Sequence, residues 1–171
     1  MNSSDLQKIC GEYDSKIKPY FCGVFAIDVF ESYYSRYCKE DSMNIFVVNT
    51  QPSDLPGEHW VLISLNKKNL FFDSFHKSPR FYGLLSPKMQ ECTSYRLQGD
   101  SRICGVYCIW AARLLSQNKD IHSIIDNYFS KTDLKANDCS VIQWLKSQPY
   151  GKVVSFDCKN DCLAYKDFLK W

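Results

Sequence analysis

The stretch LQGDSRICGVYCIWAARLL, residues 97–115, joins a glutamine, a turn-forming run and a cysteine that opens a long apolar segment. After Gly105, the residues Val106, Tyr107, Cys108, Ile109, Trp110, Ala111, Ala112, Leu114 and Leu115 leave almost no polar face. The segment therefore predicts a buried helix at the centre of the fold. Asp100 and Ser101 are the candidate N-caps of a helix beginning near Ile103, and unpaired backbone N–H groups at such an end favour a thiolate at Cys104. Gly105 leaves room for close approach to the sulfur. A nucleophile at the head of a central helix is rigidly held. Taken alone, however, a cysteine in an apolar run is more often an inert packing residue, so its partners elsewhere in the chain decide the matter.

At 171 residues the chain is long enough for one domain with a substantial core and short for two, which predicts a single domain over residues 1–171. Hydrophobic residues at 45% against 23% charged place it among globular rather than disordered chains. No apolar run reaches the ~18 residues of a membrane span, and no basic-then-apolar leader opens the sequence. The expectation is an intracellular protein, a host nucleus included, or one packaged in a particle, and not a secreted one. A net charge of +2 with scattered lysines and arginines gives no basic field that would by itself argue for nucleic acid. Nine cysteines without a secretory leader read as mostly reduced thiols, with the odd count leaving one for a partner outside the chain.

Along the chain, residues 3–10 predict a short helix capped by Ser3 or Ser4 and ended by Gly11. Residues 18–38 begin with strand-like alternation and pass into helical spacing, while NIFVVN at 44–49 is a β-branched strand. TQPSDLPGE at 50–58 is a loop; HWVLISL at 59–65 and LFFDSF at 70–75 predict a β-hairpin. Residues 76–90 are irregular with one helical turn, and 93–98 predict a last strand leading into the central helix. Beyond that helix, Asp120 and Asp138 are read as caps of two amphipathic helices, the second burying Val141, Ile142 and Leu145. The tail from residue 152 adds a short apolar run and an amphipathic turn.

A cysteine nucleophile requires a base, a group that orients the base, and donors for the oxyanion. The three histidines allow an exhaustive search. His122 falls within a helical stripe and His76 in a Lys/Ser/Pro loop, whereas His59 stands where a loop enters a strand and can be aimed from a rigid sheet. Asp73, between Phe72 and Phe75, is the natural orienter, because a carboxylate in that company is paired or costly. Both residues fall at the same end of the predicted hairpin; Asp54, in the loop, is the weaker alternative. Gln98 can aim its amide N–H at the oxygen that becomes negative when Cys104 attacks a carbonyl, together with the backbone N–H of Cys104.

His-Trp on one strand, Asp on the next, and then Gln-x5-Cys-Gly opening a helix resembles the adenovirus-type cysteine proteinase family, adenain. More distantly it resembles the ubiquitin-like-protein-specific proteases. The resemblance rests on PYF at 19–21, VVNT at 47–50, GEHW at 57–60, LFFDSF at 70–75 and LQGDSRICGVYC at 97–108, and runs to about residue 115. It implies an α+β fold with a papain-like catalytic centre in permuted order, the central helix packed on a small, mainly antiparallel sheet. It also implies a cysteine endopeptidase with His59, Asp73, Gln98 and Cys104 in its site, cleaving viral or virus-like precursors near glycines. The aromatic-rich residues 19–37 are then the candidate wall of a substrate groove. Adenain commonly carries Glu at the acidic position and one more residue between Gln and Cys. Asp73 and the Gln98–Cys104 spacing instead look like the ubiquitin-like-modifier proteases, although Ile103 replaces their usual Asp.

In adenain a peptide from a virion protein activates the enzyme through a disulfide; Cys92, six residues before Gln98, is the position that corresponds. The family also uses DNA as a cofactor, a carry-over that the weak net charge does not support. A deconjugating protease and a decayed, non-enzymatic relative are the other classes consistent with these residues. Cys158 and Cys162, with Cys139 nearby, do not form a strong zinc pattern, since CxxxC is followed by no histidine.

Overall fold

In a computed structural model, placement is described for residues 1–38, 41–66, 69–85 and 88–152. Five strands, β1 (Phe21–Ala26), β2 (Asn44–Asn49), β3 (Trp60–Leu65), β4 (Leu70–Phe72) and β5 (Gln90–Glu91), form one sheet in sequential order. Helices α1 (Ser3–Lys8), α2 (Ile27–Tyr37), α3 (Cys104–Ser116), α4 (Ile121–Tyr128) and α5 (Leu134–Ser147) accompany it. A π-helical turn at Ile9–Tyr13 and a 3-10 turn at Pro79–Tyr82 complete the described elements. Among the described residues no helix is long and apolar enough to cross a membrane.

The mixed α and β composition agrees with the α+β expectation, but the sheet is not mainly antiparallel. β2–β3 and β3–β4 are antiparallel, whereas β1–β2 and β4–β5 are parallel. The reason lies in the connections: α2 carries the chain back so that β1 and β2 run alongside, as a crossover requires, and a long irregular segment does the same between β4 and β5. Only the β3–β4 hairpin has a connection short enough to be read locally.

β2 is buried at every position, and its alternate residues serve two cores. Ile45 and Val47 face the layer of α1, α3, α4 and α5, while Phe46 and Val48 face α2 through Phe30. Thus the sheet is covered on both sides. In α3, Cys104–Ala112 together with Leu114 and Leu115 are buried, as the unbroken apolar run requires. Trp110, fully buried, meets the edge of Phe129 at 5.0 Å between ring centroids and leans on Phe72 at 6.2 Å, which fixes α3 between the sheet and α4. Burying one such side chain contributes about 1.5–3 kcal/mol.

Several local expectations change. Asn2, not Ser3 or Ser4, caps α1, and Gly11 lies inside the π-helical turn that extends it. Residues 93–98 are not a strand; β5 precedes them and lasts two residues. α4 starts on Asp120, whose side chain accepts from His122 N and Ser123 N as expected, but α5 starts on Asp133, leaving Asp138 inside the helix. The head of α3 has no side-chain cap: Asp100 pairs with Arg96, and the Ser101 hydroxyl is turned to Asp138. The tail beyond residue 152, with Cys158 and Cys162, lies outside the described residues; Cys139 is disulfide-bonded.

Candidate active site

The hairpin register explains how His59 and Asp73 meet. Leu62 pairs with Phe72 and Ile63 with Phe71, so Asp73, the residue after β4, and His59, the residue before β3, lie at the same end of the hairpin. β4 stops at Phe72 because the Asp73 carboxylate takes over the backbone, accepting from Phe75 N and Lys77 N, both at 2.9 Å. Asp73 Oδ1 also accepts from His59 Nε2 at 2.7 Å, and Oδ2 accepts from Tyr82 Oη at 2.9 Å. Four donors satisfy a carboxylate that is 1% exposed.

With Nε2–H given to Asp73, Nδ1 is the nitrogen that holds the lone pair in the neutral ring and the second proton in the imidazolium. His59 Nδ1 is buried, and the Cys104 side chain shares the cleft with the ring. Burial opposes charge on the imidazole; hydrogen bonding and negative charge at Asp73 and Cys104 prevail and raise its pKa to about 9. Burial likewise pushes the Cys104 thiol up, yet the His59 cation and the backbone N–H groups of Trp60 and Gly105 bring it net below the usual thiol value. Displacements in these opposite directions favour a thiolate beside an imidazolium. Burial also raises the Asp73 carboxyl, and it too ends below its usual value through His59 and the two backbone N–H groups.

Phe75 stacks on the His59 ring with centroids 4.5 Å apart, and the Arg96 guanidinium lies 5.0 Å over the Phe75 ring. The same Arg96 donates to the carbonyls of Gln98 at 2.7 Å and Gly99 at 2.8 Å. Gln98, 1% exposed, has a fixed amide orientation: Ser74 Oγ donates to Oε1 at 2.7 Å, and Nε2 donates to the carbonyl of Ser101. A carbonyl cannot donate, so the nitrogen must face Ser101, which leaves its second proton for the cleft. Adjacent residues Asp73 and Ser74 thus orient the base and the amide donor respectively.

His59, Gln98 and Cys104 line one cleft of about 500 Å³, whose walls include Met1, Trp60 and Phe75. Trp60 Nε1 donates to the Met1 carbonyl at 3.4 Å. A Cβ on Gly105 would stand 3.0 Å from Met1 Sδ, so the glycine makes room for Met1 rather than for an approach to the Cys104 sulfur. A second cleft of about 490 Å³ shares Met1, Gly57 and Trp60 with the first and is lined by Val24, Phe25, Ala26 and Leu55. Of the aromatic segment 19–37, Phe25 therefore borders the second cleft while packing on Phe46 at 6.0 Å, on the same sheet face where Phe30 and Tyr34 stack.

The sequence-predicted His59, Asp73, Gln98 and Cys104 come together. His76 lies in the turn after Asp73, near Thr93, and His122 lies near Gln90; neither reaches the cleft, and Asp54 is exposed in the loop before β3. Cys92 is 1% exposed within the core, and burial pushes its thiol up to about 12. Cys108, one turn after Cys104, is fully buried, and burial pushes its thiol well above the usual value. Sequence reasoning missed Ser74, Tyr82, Arg96 and Phe75 as supports; only Ser74 carried a local signal, through its adjacency to Asp73. Among the described residues no cluster of three or more His, Cys, Asp or Glu side chains gathers that would hold a metal ion. No protein-family model matches the chain, and no curated protein matches it.

Proposed function

We propose that the chain is a papain-like cysteine endopeptidase in which Cys104 is the nucleophile, His59 the general base and acid, Asp73 the orienter of His59, and Gln98 the oxyanion donor. The observation that carries this reading is the His59 ring: Nε2 is tied to Asp73 at 2.7 Å, Nδ1 is buried, and the ring lines the same cleft as Cys104 and Gln98. The Cys104 thiolate attacks the scissile carbonyl carbon, and the carbonyl oxygen takes up the charge against the free Gln98 amide proton and the backbone N–H of Cys104, which lacks an intrahelical acceptor. His59 gives its proton to the leaving amine as the C–N bond breaks. The resulting thioester is hydrolysed by a water whose proton returns to His59.

Together with the adenain-like sequence blocks, this geometry favours a protease that processes protein precursors of a virus or virus-like particle. Asp73 at the acidic position and the six-residue step from Gln98 to Cys104 favour a second reading, cleavage of ubiquitin-like-modifier conjugates. The deciding experiment compares wild type and Cys104→Ala on a Gly-containing fluorogenic peptide, on capsid-type precursors and on modifier-derived electrophilic probes. The proposal expects peptide and precursor turnover by the wild type and none by Cys104→Ala, with unchanged circular dichroism. Turnover retained in Cys104→Ala sinks the protease assignment, and rapid probe labelling of Cys104 without precursor cleavage selects the second reading.

A further inference from the structure

Asp138 sits on the second turn of α5, more than thirty residues beyond the nucleophile, and is 7% exposed. Its carboxylate faces away from its own helix and grips the loop between Gln98 and Cys104. Gly99 N lies 3.2 Å from both oxygens, Ser101 Oγ donates to Oδ2 at 2.6 Å, and Tyr107 Oη donates to Oδ1 at 2.9 Å. The preceding residue, Asn137, donates from Nδ2 to the carbonyl of Leu97 at 3.0 Å, so two consecutive α5 side chains hold the backbone on either side of Gln98. The contact is close enough to dictate the residue at 99: a Cβ there would stand 2.9 Å from Asp138 Oδ2.

Neither a helix cap nor core packing requires this arrangement, because Asp133 already caps α5 and a carboxylate is costly to bury. What it does is place Ser101, whose carbonyl accepts one proton of the Gln98 amide. The opposite side of the loop is held by Arg96 through the carbonyls of Gln98 and Gly99. We infer that Asp138 is a positioning residue for the oxyanion donor: it fixes Gly99 and Ser101 so that the remaining Gln98 amide proton points at the reacting carbonyl beside Cys104. The inference rests on the proposed protease reading and adds to it a residue from a helix that does not border the cleft.

The test uses Asp138→Asn, Ser101→Ala, Gln98→Ala and the double variant Gln98→Ala/Asp138→Asn on the full chain. Three quantities are followed: kcat and KM for the fluorogenic peptide, and the rate of Cys104 alkylation by iodoacetamide. Loss of one oxyanion donor costs roughly a hundredfold or more in kcat, so Gln98→Ala is expected to show that loss. Asp138→Asn is expected to show roughly a tenfold or greater loss, with KM within about twofold and an unchanged alkylation rate, since the thiolate pair is untouched. The double variant is expected to be no worse than Gln98→Ala. Should Asp138→Asn not fold, the half-buried Ser101→Ala carries the same expectation of reduced kcat at constant alkylation rate. Wild-type kcat in a folded Asp138→Asn beside a depressed Gln98→Ala, losses that multiply in the double variant, or a parallel fall in alkylation each overturn the inference alone. Wild-type kcat in Gln98→Ala overturns the oxyanion assignment and the inference with it.

Discussion

Replacing Asp73 with asparagine keeps the side chain's shape and removes the charge that His59 leans on. His59 is held at about 9 against an ordinary 6.5, a preference for the imidazolium on the order of 3 kcal/mol at about 1.4 kcal/mol per unit. Asp73 and Cys104 share that preference, and a hydrogen bond between charged groups is worth about 1.5–3 kcal/mol. Loss of the Asp73 charge therefore lowers the His59 pKa by roughly one to two units and shifts the internal proton equilibrium from thiolate–imidazolium toward thiol–imidazole roughly ten- to hundredfold. Alkylation by iodoacetamide at pH 6.5, with the modified residue identified by peptide mass spectrometry, reads the thiolate population directly. The buried Cys10, Cys92 and Cys108 thiols, all raised by burial, serve as internal controls. In the wild type, Cys104 should react far faster than these at pH 6.5, and Asp73→Asn should slow it at least about tenfold. The wild-type kcat/KM profile should have its acid limb below the usual thiol range, where the thiolate protonates, and its alkaline limb near 9, where His59 loses its proton. A wild-type Cys104 no more reactive than the control thiols, or an Asp73→Asn rate equal to wild type, refutes the ion-pair reasoning.

Three other outcomes follow from the same structure. Tyr82→Phe removes the hydroxyl that donates to Asp73 Oδ2 at 2.9 Å but leaves His59 and two backbone donors, so kcat should fall only severalfold, by about 1 kcal/mol; steady-state kinetics showing no change would mean that Tyr82 does not support Asp73. Arg113→Met strips Asp14 of the cation whose Nη1 lies 2.5 Å from Oδ1 and should cost about 3 kcal/mol in urea unfolding at pH 7. Burial raises the Asp14 carboxyl, but Tyr150, Arg113 and Lys16 N hold it net below 3.8, so its stabilisation is present above that value and lost as pH falls through the depressed one. The gap between wild type and Arg113→Met should accordingly close in acid, and a pH-independent gap would count against the pairing. Trp110→Ala opens a cavity beside Phe72 and Phe129 and should lower unfolding free energy by about 3–5 kcal/mol, with a loss under about 1 kcal/mol contradicting a central α3.

Local patterning carried the β2 strand, the β3–β4 hairpin, α3 and the capped α4, because a period of two or an unbroken apolar run is written in neighbouring residues. It also singled out His59, Asp73, Gln98 and Cys104, which the fold brings together, since scarcity of histidine and the company of Asp73 narrowed the choice before any geometry was known. It did not reach surroundings that depend on distant parts of the chain. Cys92 lies outside regular alternation, and only the packing of the sheet against the helices buries it. Asp138 resembled a helix cap because it precedes an apolar stripe, but the cap one turn earlier leaves it free to reach Gly99 and Ser101. The direction of β1 and β5 depended on crossovers whose hand and landing point no local signal sets.

By itself the sequence determined which side chains have the chemistry of a thiol nucleophile, a base, an orienter and an amide donor, because those properties belong to the residues. Their working state was decided only by tertiary structure. The Asp73 contact and the neighbouring Cys104 make His59 a strong base against the opposing effect of burial, and the joint grip of Ser74, Arg96 and Asp138 turns Gln98 from a flexible amide into a fixed one. Proton affinity and orientation depend on desolvation and on groups brought together across the fold, and neither is a property of a residue's neighbours in the chain.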